Sequence, residues 1–63
     1  MYAIYCPLKG YFKGYELRNN QMTPQWGTLE NNFQLAIFVN AQEALDEGAK
    51  HLAIAYHINQ LPT

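Results

Sequence analysis

Few residues of this chain have the types and spacing that chemistry requires. Cys6, His51 and His57 are the only soft metal ligands, and they fall on three separate predicted elements without a short ligand spacing such as C-x₂-C or H-x₃-H. The acidic residues form no recognisable carboxylate pair, and no glycine-rich loop precedes a helix in the way that phosphate binding requires. The sequence therefore predicts no catalytic residue, no cofactor and no metal site, and we expect a protein that is not an enzyme.

One nucleophilic arrangement is left open as an alternative. Cys6 and His57 would meet if the first and last strands were neighbours, and a small Cys6-dependent enzyme would then be conceivable. No motif supplies a third group that would orient the imidazole. We expect instead that His57 lies on a sheet face and that His51 closes a helix.

The segment from Lys9 to Arg18 is a stronger candidate, for binding rather than catalysis. It alternates basic residues with aromatic ones, an arrangement by which single-stranded nucleic acids are stacked and held on a sheet. Tyrosines on hairpins also stabilise sheets through cross-strand pairs, so a structural role and contact with another protein stay open beside nucleic acid. The candidate partner-binding residues are Trp26, Tyr11, Lys13, Tyr15, Arg18 and Met22.

Size and composition narrow the classes of partner. The chain has 63 residues, of which 49% are hydrophobic and 14% charged, with a net charge of −1. Four cations are too few for a general DNA binder, so nucleic acid is not the expected partner. The single cysteine excludes an intrachain disulfide, and no apolar run approaches the length of a membrane span. We expect one cytoplasmic domain, residues 1–63, that binds another protein and not a membrane.

Strand composition recurs along the chain. Residues 1–6 and 11–18 predict a hairpin, and Asn19-Asn20 suits a tight turn after it. A further short strand around 21–26 would be confined to an edge by Pro24. Residues 33–40 carry the strongest strand pattern of the chain, and residues 53–59 predict the last strand.

A single helix follows the fourth of these segments. Asn40 and Glu43 have the spacing of an N-cap and a carboxylate in the first turn. Small and apolar residues then recur at intervals of three and four up to Leu52, and Gly48 among them should let the helix approach the sheet closely. The predicted fold is α+β, a small antiparallel sheet in the order β-β-(β)-β-α-β with one helix packed on one face.

The strands are apolar on both faces, whereas one helix covers only one. In residues 33–40, Leu35, Ile37 and Val39 alternate with Ala36 and Phe38. Two ways of covering the second face of the sheet are possible. The segment 19–32 folds back with its apolar anchors, or the face packs on a second copy or on another protein.

The order of these features resembles small uncharacterised proteins of bacteriophages and prophages. The shared outline is a tyrosine-rich hairpin, a tryptophan, the pattern A-x-F-x-N-x-x-E-A beginning at Ala36, and a closing strand. The resemblance implies an accessory protein that binds and inhibits or regulates a host protein, with an anti-CRISPR role among the options, but it carries no site residue over. We therefore expect a non-catalytic protein-interaction module, as a homodimer, with a single-stranded nucleic-acid binder as the alternative.

Overall fold

The computed structural model of the chain describes residues 1–28 and 35–61. Four strands, one α-helix and one short 3₁₀-helix account for most of these residues. Their bounds are β1, Tyr2–Cys6; β2, Gly10–Arg18; β3, Gln21–Gly27; α1, Ala41–Lys50; β4, Ile54–His57; and the 3₁₀-helix, Ile58–Gln60.

The strands form one antiparallel sheet in the order β3-β2-β1-β4. The helix packs on β1 and β4, where Ala44 is fully buried against the sheet. The predicted α+β fold with one helix on one face is confirmed. The single helix reaches only part of the sheet, so the far end of the β2–β3 hairpin extends beyond it.

The β2–β3 hairpin closes through Asn19 and Asn20. Both residues have positive φ, 50° and 63°, which is the requirement of a two-residue turn that matches the twist of its strands. Pro24 lies in β3 at the edge of the sheet, where a proline costs no ladder hydrogen bond. The tight turn and the edge strand that the sequence predicted are both present.

The prediction of a full strand at residues 33–40 is wrong for the part that the structure describes. Residues 35–40 contribute only an isolated bridge, in which Phe38 exchanges both backbone hydrogen bonds with Tyr2 (2.8 and 2.9 Å). Ala36 N–H donates to the Phe12 carbonyl of β2 instead (3.1 Å). The segment is thus inserted where β1 and β2 diverge, and one short contact with each replaces a strand pairing. Residues 33 and 34 lie outside the described residues.

The N-terminus of α1 follows its predicted chemistry. The Asn40 side-chain oxygen accepts hydrogen bonds from the backbone N–H groups of Gln42 (2.7 Å) and Glu43 (3.3 Å). These two bonds satisfy donors that the first turn of a helix leaves without partners. The apolar stripe of the helix is shorter than the spacing predicts, because the helix ends at Lys50 and Leu52 is exposed after it.

Gly48 brings the helix close to the sheet. A Cβ at this position would lie 2.9 Å from the Ala53 carbonyl oxygen and 3.8 Å from the Ile4 side chain. Ala53 N–H also donates to the Gly48 carbonyl (2.9 Å). The close contact between the helix and β4 therefore depends on a residue without a side chain at position 48.

Replacing Gly48 with alanine should destabilise the protein even though alanine is the better helix former. The gain in helix propensity is about 1 kcal/mol, but the new methyl group meets backbone that cannot rotate away, and such overpacking costs about 1–3 kcal/mol. Urea denaturation should show a lower midpoint for Gly48→Ala. The control is Ala49→Gly on the exposed side of the same turn, where propensity alone should cost about 1 kcal/mol. If the free energy of unfolding rose in Gly48→Ala by as much as it fell in Ala49→Gly, the close packing at Gly48 would be unimportant.

The two faces of the sheet are occupied differently. On the helix side, Ile4 and Phe12 are buried, and Trp26 lies directly opposite Phe12. On the other side, Tyr5 packs against Tyr11 with ring centroids 4.8 Å apart, and Tyr56 meets Tyr5 edge-on at 6.3 Å. The second face is therefore aromatic, as the apolar pattern on both sides requires. Residues 21–27 do not fold over it, as one of the two coverings supposed, because they form a strand of the sheet itself.

Candidate partner-binding surface

The part of the hairpin that projects past the helix is the most exposed apolar feature of the sheet. We define the hairpin arm as residues 14–25, beyond the bulge that shifts the β2–β3 register between Phe12 and Gly14. Gly14 has a φ of +113°, a conformation that glycine adopts without strain. The bulge increases the local twist and bends the strand, and it thereby sets the direction in which the arm leaves the sheet.

The base of the arm is an aromatic cluster centred on Phe12. Its ring lies 5.1 Å from Trp26, 5.3 Å from Tyr15 and 5.4 Å from His51, centroid to centroid. Phe12 is 1% exposed. Aromatic pairs at these separations add about 0.5–1.5 kcal/mol each beyond the area they bury, so the cluster fixes the base of the arm rigidly.

Tyr15 connects the arm to the helix. Its hydroxyl donates a hydrogen bond to Glu47 Oε2 and lies 3.0 Å from His51 Nε2. The same His51 nitrogen is 3.1 Å from Glu47 Oε2. Lys50 adds an ion pair to Glu47 Oε1 at 3.4 Å. This Tyr15–Glu47–His51 cluster holds the arm against the last turn of α1.

The cluster shifts the ionisation of two of its members. The hydrogen bond to the Glu47 carboxylate raises the pKa of Tyr15 to about 12, with burial and the charge of Glu47 adding to the effect. The same bond lowers the pKa of Glu47, which His51 and Lys50 lower further while burial opposes them. Both shifts favour a neutral phenol beside an ionised carboxylate.

Removing the Tyr15 hydroxyl should therefore cost stability in a pH-dependent way. Tyr15→Phe keeps the ring packing and loses a hydrogen bond of about 1 kcal/mol at neutral pH. Because the folded pKa of Tyr15 is raised, its contribution is complete below pH 10 and is lost as the pH rises through about 12. Because the pKa of Glu47 is lowered, its contribution is present above about pH 4.3 and is lost as the pH falls through the lower folded value.

The measurement is the free energy of unfolding by urea from acid to alkaline pH. The wild-type curve should decline at both ends, and the Tyr15→Phe curve should be flatter at both. Tyr2→Phe is the matched control, because the Tyr2 ring packs edge-on against His57, away from Glu47 and His51. Equal flattening in both variants would disprove the role assigned to Tyr15.

Leu17 and Met22 form the apolar end of the arm. They lie directly opposite one another on β2 and β3, on the same side as Trp26. Leu17 is 65% exposed and Met22 62% exposed, whereas Tyr15, closer to the helix, is 42% exposed. In a two-residue hairpin the pair next to the turn-closing pair is not hydrogen-bonded, and the side chains of such a pair lie close together. The arm therefore offers a continuous apolar face that becomes more exposed towards its tip.

The structure places the predicted binding residues of the hairpin on both faces of the sheet. Tyr15 and Met22 lie on the exposed apolar face of the arm, whereas Arg18 lies on the opposite face of the hairpin, in an ion pair with Glu16 at 3.1 Å. Tyr11 lies on the opposite face of the sheet and is 4% exposed. Its ring is excluded from any partner contact, and burial is also the main reason that its pKa is raised.

Trp26 and Lys13 lie near the base of the arm. Trp26 is half-buried in β3, at 5.4 Å from the His51 ring, with Lys9 Nζ 5.3 Å from its centroid. It belongs to the base of the arm rather than to a loop. The Lys13 side chain lies over Gly27, where an added Cβ would come within 2.7 Å of it.

The alternative pair Cys6 and His57 does not form. The first and last strands are neighbours, as this pair requires, but the register places His57 opposite Tyr2 and therefore four residues from Cys6. Four residues of a strand span about 13 Å. Cys6 is also buried. The register therefore keeps the His57 imidazole away from the Cys6 thiol.

Two features of the site were missed by sequence reasoning. The sequence indicated no role for Glu47 and placed His51 only at the end of the helix, whereas both contact the Tyr15 hydroxyl. Leu17 was not singled out, although it is exposed opposite Met22. The two-residue turn at Asn19 fixes that pairing and could have revealed Leu17, but only tertiary packing brings residue 15 to residues 47 and 51.

Comparison of the chain with family models, with curated proteins and with solved structures finds no match in any of the three. Among the described residues, no group of three or more histidine, cysteine or acidic side chains is arranged to hold a metal ion. Within the same residues, no helix has both the length and the apolar character needed to cross a membrane.

Proposed function

We propose that this chain is a non-catalytic protein-interaction module that binds its partner through the apolar face of the hairpin arm. The observation that carries the proposal is the pair of Leu17 and Met22, opposite one another and both about two-thirds exposed. A small monomer rarely exposes adjacent large apolar side chains without a use for them. Methionine and leucine at the tip of a ribbon suit contact with aliphatic side chains of another protein.

The arm is prepared for binding before the partner arrives. Tyr15 ties it to Glu47 and His51, and Phe12 and Trp26 hold its base. Fixing a binding element in advance lowers the entropy that association must overcome. This argues for an arm that presents its tip as a rigid surface.

The contact is made by side chains and not by strand addition. Pro24 lies opposite Tyr15 in β3, and because proline has no N–H, its nitrogen faces the open edge of the sheet. A partner strand along β3 would therefore lack a donor there. The partner surface that fits is an apolar groove or helix face that receives Leu17 and Met22.

The nucleic-acid alternative gains no support from the positions of its residues. Tyr11 is too buried to stack a base, and Arg18 is paired with Glu16. Lys9 is directed to the Trp26 ring. The context that the resemblance implies, a phage-type accessory protein that binds a host protein in the cytoplasm, stays a prediction.

The proposal is tested by a double substitution at the tip, Leu17→Ser with Met22→Ser. A partner recovered with the wild-type protein should bind the double variant at least about tenfold more weakly, a loss of 1.4 kcal/mol or more. Binding is measured by titration calorimetry, and circular dichroism checks that the fold is retained.

The control is Leu52→Ser, which removes one exposed leucine away from the arm. It should leave the affinity unchanged. Equal loss in the control and in the double variant, or a partner that binds the double variant as well as the wild type, would contradict the assignment of the arm.

A further inference from the structure

The two edges of the sheet are protected unequally. β3 carries Pro24, whereas β4, at the other edge, contains neither proline nor a charged residue. The whole segment 52–61 lacks lysine, arginine, aspartate and glutamate. Edge strands usually carry charges or prolines that prevent pairing with another chain. An edge without them is suited to strand pairing.

The hydrogen bonds of β4 show which backbone groups face that edge. Ile58 N–H donates to the Met1 carbonyl across β1 (3.0 Å). Because inward and outward groups alternate along an antiparallel strand, Tyr56 also bonds to β1. Ala55 and His57 then direct their N–H and C=O groups away from the sheet.

We propose that β4 pairs antiparallel with β4 of a second copy of this chain, about a two-fold axis at Tyr56. In this register Ala55 bonds to His57 of the second copy, and His57 bonds to Ala55 of the second copy. The two pairs make about four hydrogen bonds. The result is a sheet of twice the width that is continuous through both copies.

The same register matches the exposed side chains. Ile54 comes opposite Ile58 of the second copy, on the face that carries Tyr56. Ile54 is 52% exposed and Ile58 37% exposed in the single chain, and each would cover the other. Tyr56 meets its own equivalent at the axis, where aromatic pairs across strands are stabilising.

A second copy suits this edge because the edge is self-complementary. The absence of charge in 52–61 means that two copies bring no like charges together, and a two-fold axis is the symmetry of most protein dimers. The pairing cannot extend beyond Ala55, because Ala53 N–H is already donated to the Gly48 carbonyl. The interface is therefore short, and we expect a weak dimer.

Sedimentation equilibrium on the full chain tests the proposal. The apparent mass should rise from 7.3 kDa towards twice that value as concentration increases to about millimolar. Ile54→Lys places a charge on each side of the axis and should raise the dissociation constant at least about tenfold. Amide exchange at Ala55 and His57 should slow as the dimer forms.

Leu17→Lys is the matched control, because it makes the same kind of change at an exposed position on β2, which β1 separates from β4. It should leave the dimer intact. A monomer at every concentration would overturn the proposal, and so would a dimer that Leu17→Lys weakens and Ile54→Lys does not. If amide exchange at Ala55 and His57 slowed only when another protein was added, the partner of β4 would be that protein and not a second copy of this chain. The dimer is measured without any other protein and the arm is tested with its partner, so the two proposals can fail separately.

Discussion

Phe12→Ala is expected to remove most of the free energy of unfolding of this protein. Phe12 is the largest fully buried side chain among the described residues, with Trp26, Tyr15 and His51 around its ring at 5.1–5.4 Å. Truncating a buried phenylalanine to alanine costs about 3–5 kcal/mol. A chain of this length has a total stability of about 3–9 kcal/mol, so the loss consumes most of it.

The consequence for function follows from the position of this residue. Phe12 lies where the arm joins the sheet, so its loss should release the Tyr15–Glu47–His51 cluster together with the core. Circular dichroism and urea denaturation measure the effect. Phe12→Leu keeps most of the buried volume but loses the ring contacts, and it should cost clearly less than Phe12→Ala. Leu8→Ala, at a residue that is 95% exposed, should stay within about 0.5 kcal/mol. A Phe12→Ala protein as stable as Phe12→Leu would show that the aromatic cluster is not the core.

Local chemistry explains which parts of the fold could be predicted. The helix start depends on Asn40 and the residues directly after it, and the hairpin turn depends on Asn19 and Asn20. The edge position of β3 follows from Pro24, and close packing follows from Gly48. Each of these features is set by the conformational limits of one or two residues, and no distant contact is needed to recognise them.

The failures concern residues whose structure is decided by distant partners. The apolar alternation at 35–40 suits a strand, but the divergence of β1 from β2 leaves room for only one bridge, at Phe38. The β1–β2 pairing reaches only as far as Tyr11, directly before the bulge between Phe12 and Gly14, and the sequence shows no sign of that bulge except Gly14. β-Propensity describes a side chain that fits a pleated surface and not the presence of a neighbour with free hydrogen-bonding groups.

The position of Trp26 depends on the same reasoning. The sequence placed Trp26 at the end of a possible short strand and left open whether it packs within the chain or against a partner. The register places Trp26 opposite Phe12 on the helix side. The turn at Asn19-Asn20 sets the register of the hairpin from Arg18 back to Gly14. The bulge then shifts the register by one residue, and this shift decides which residue of β2 lies opposite Trp26. The candidate surface could be located on the hairpin from sequence, but its apolar face could not be told from its polar one.

Gly10→Ala is expected to be the most damaging change outside the aromatic cluster. Gly10 begins β2 with a φ of +96°, and a Cβ there would lie 2.5 Å from the Gly27 carbonyl oxygen and 3.0 Å from its carbon. The conformation alone costs a non-glycine residue about 1–2 kcal/mol. The contact adds to this cost because the opposing atoms are backbone, and relief requires β3 to move away from β2.

Gly14→Ala separates the two contributions. Gly14 has a similar φ of +113°, but a Cβ there meets nothing within 4 Å, so only the conformational cost of about 1–2 kcal/mol applies. We expect Gly10→Ala to lose at least about 1 kcal/mol more than Gly14→Ala, because overpacking is added to the conformational cost. Urea denaturation of both variants under one set of conditions gives the difference directly. Equal losses would mean that β3 yields freely at Gly27, and the base of the arm would then be too soft to present Leu17 and Met22 as a rigid surface.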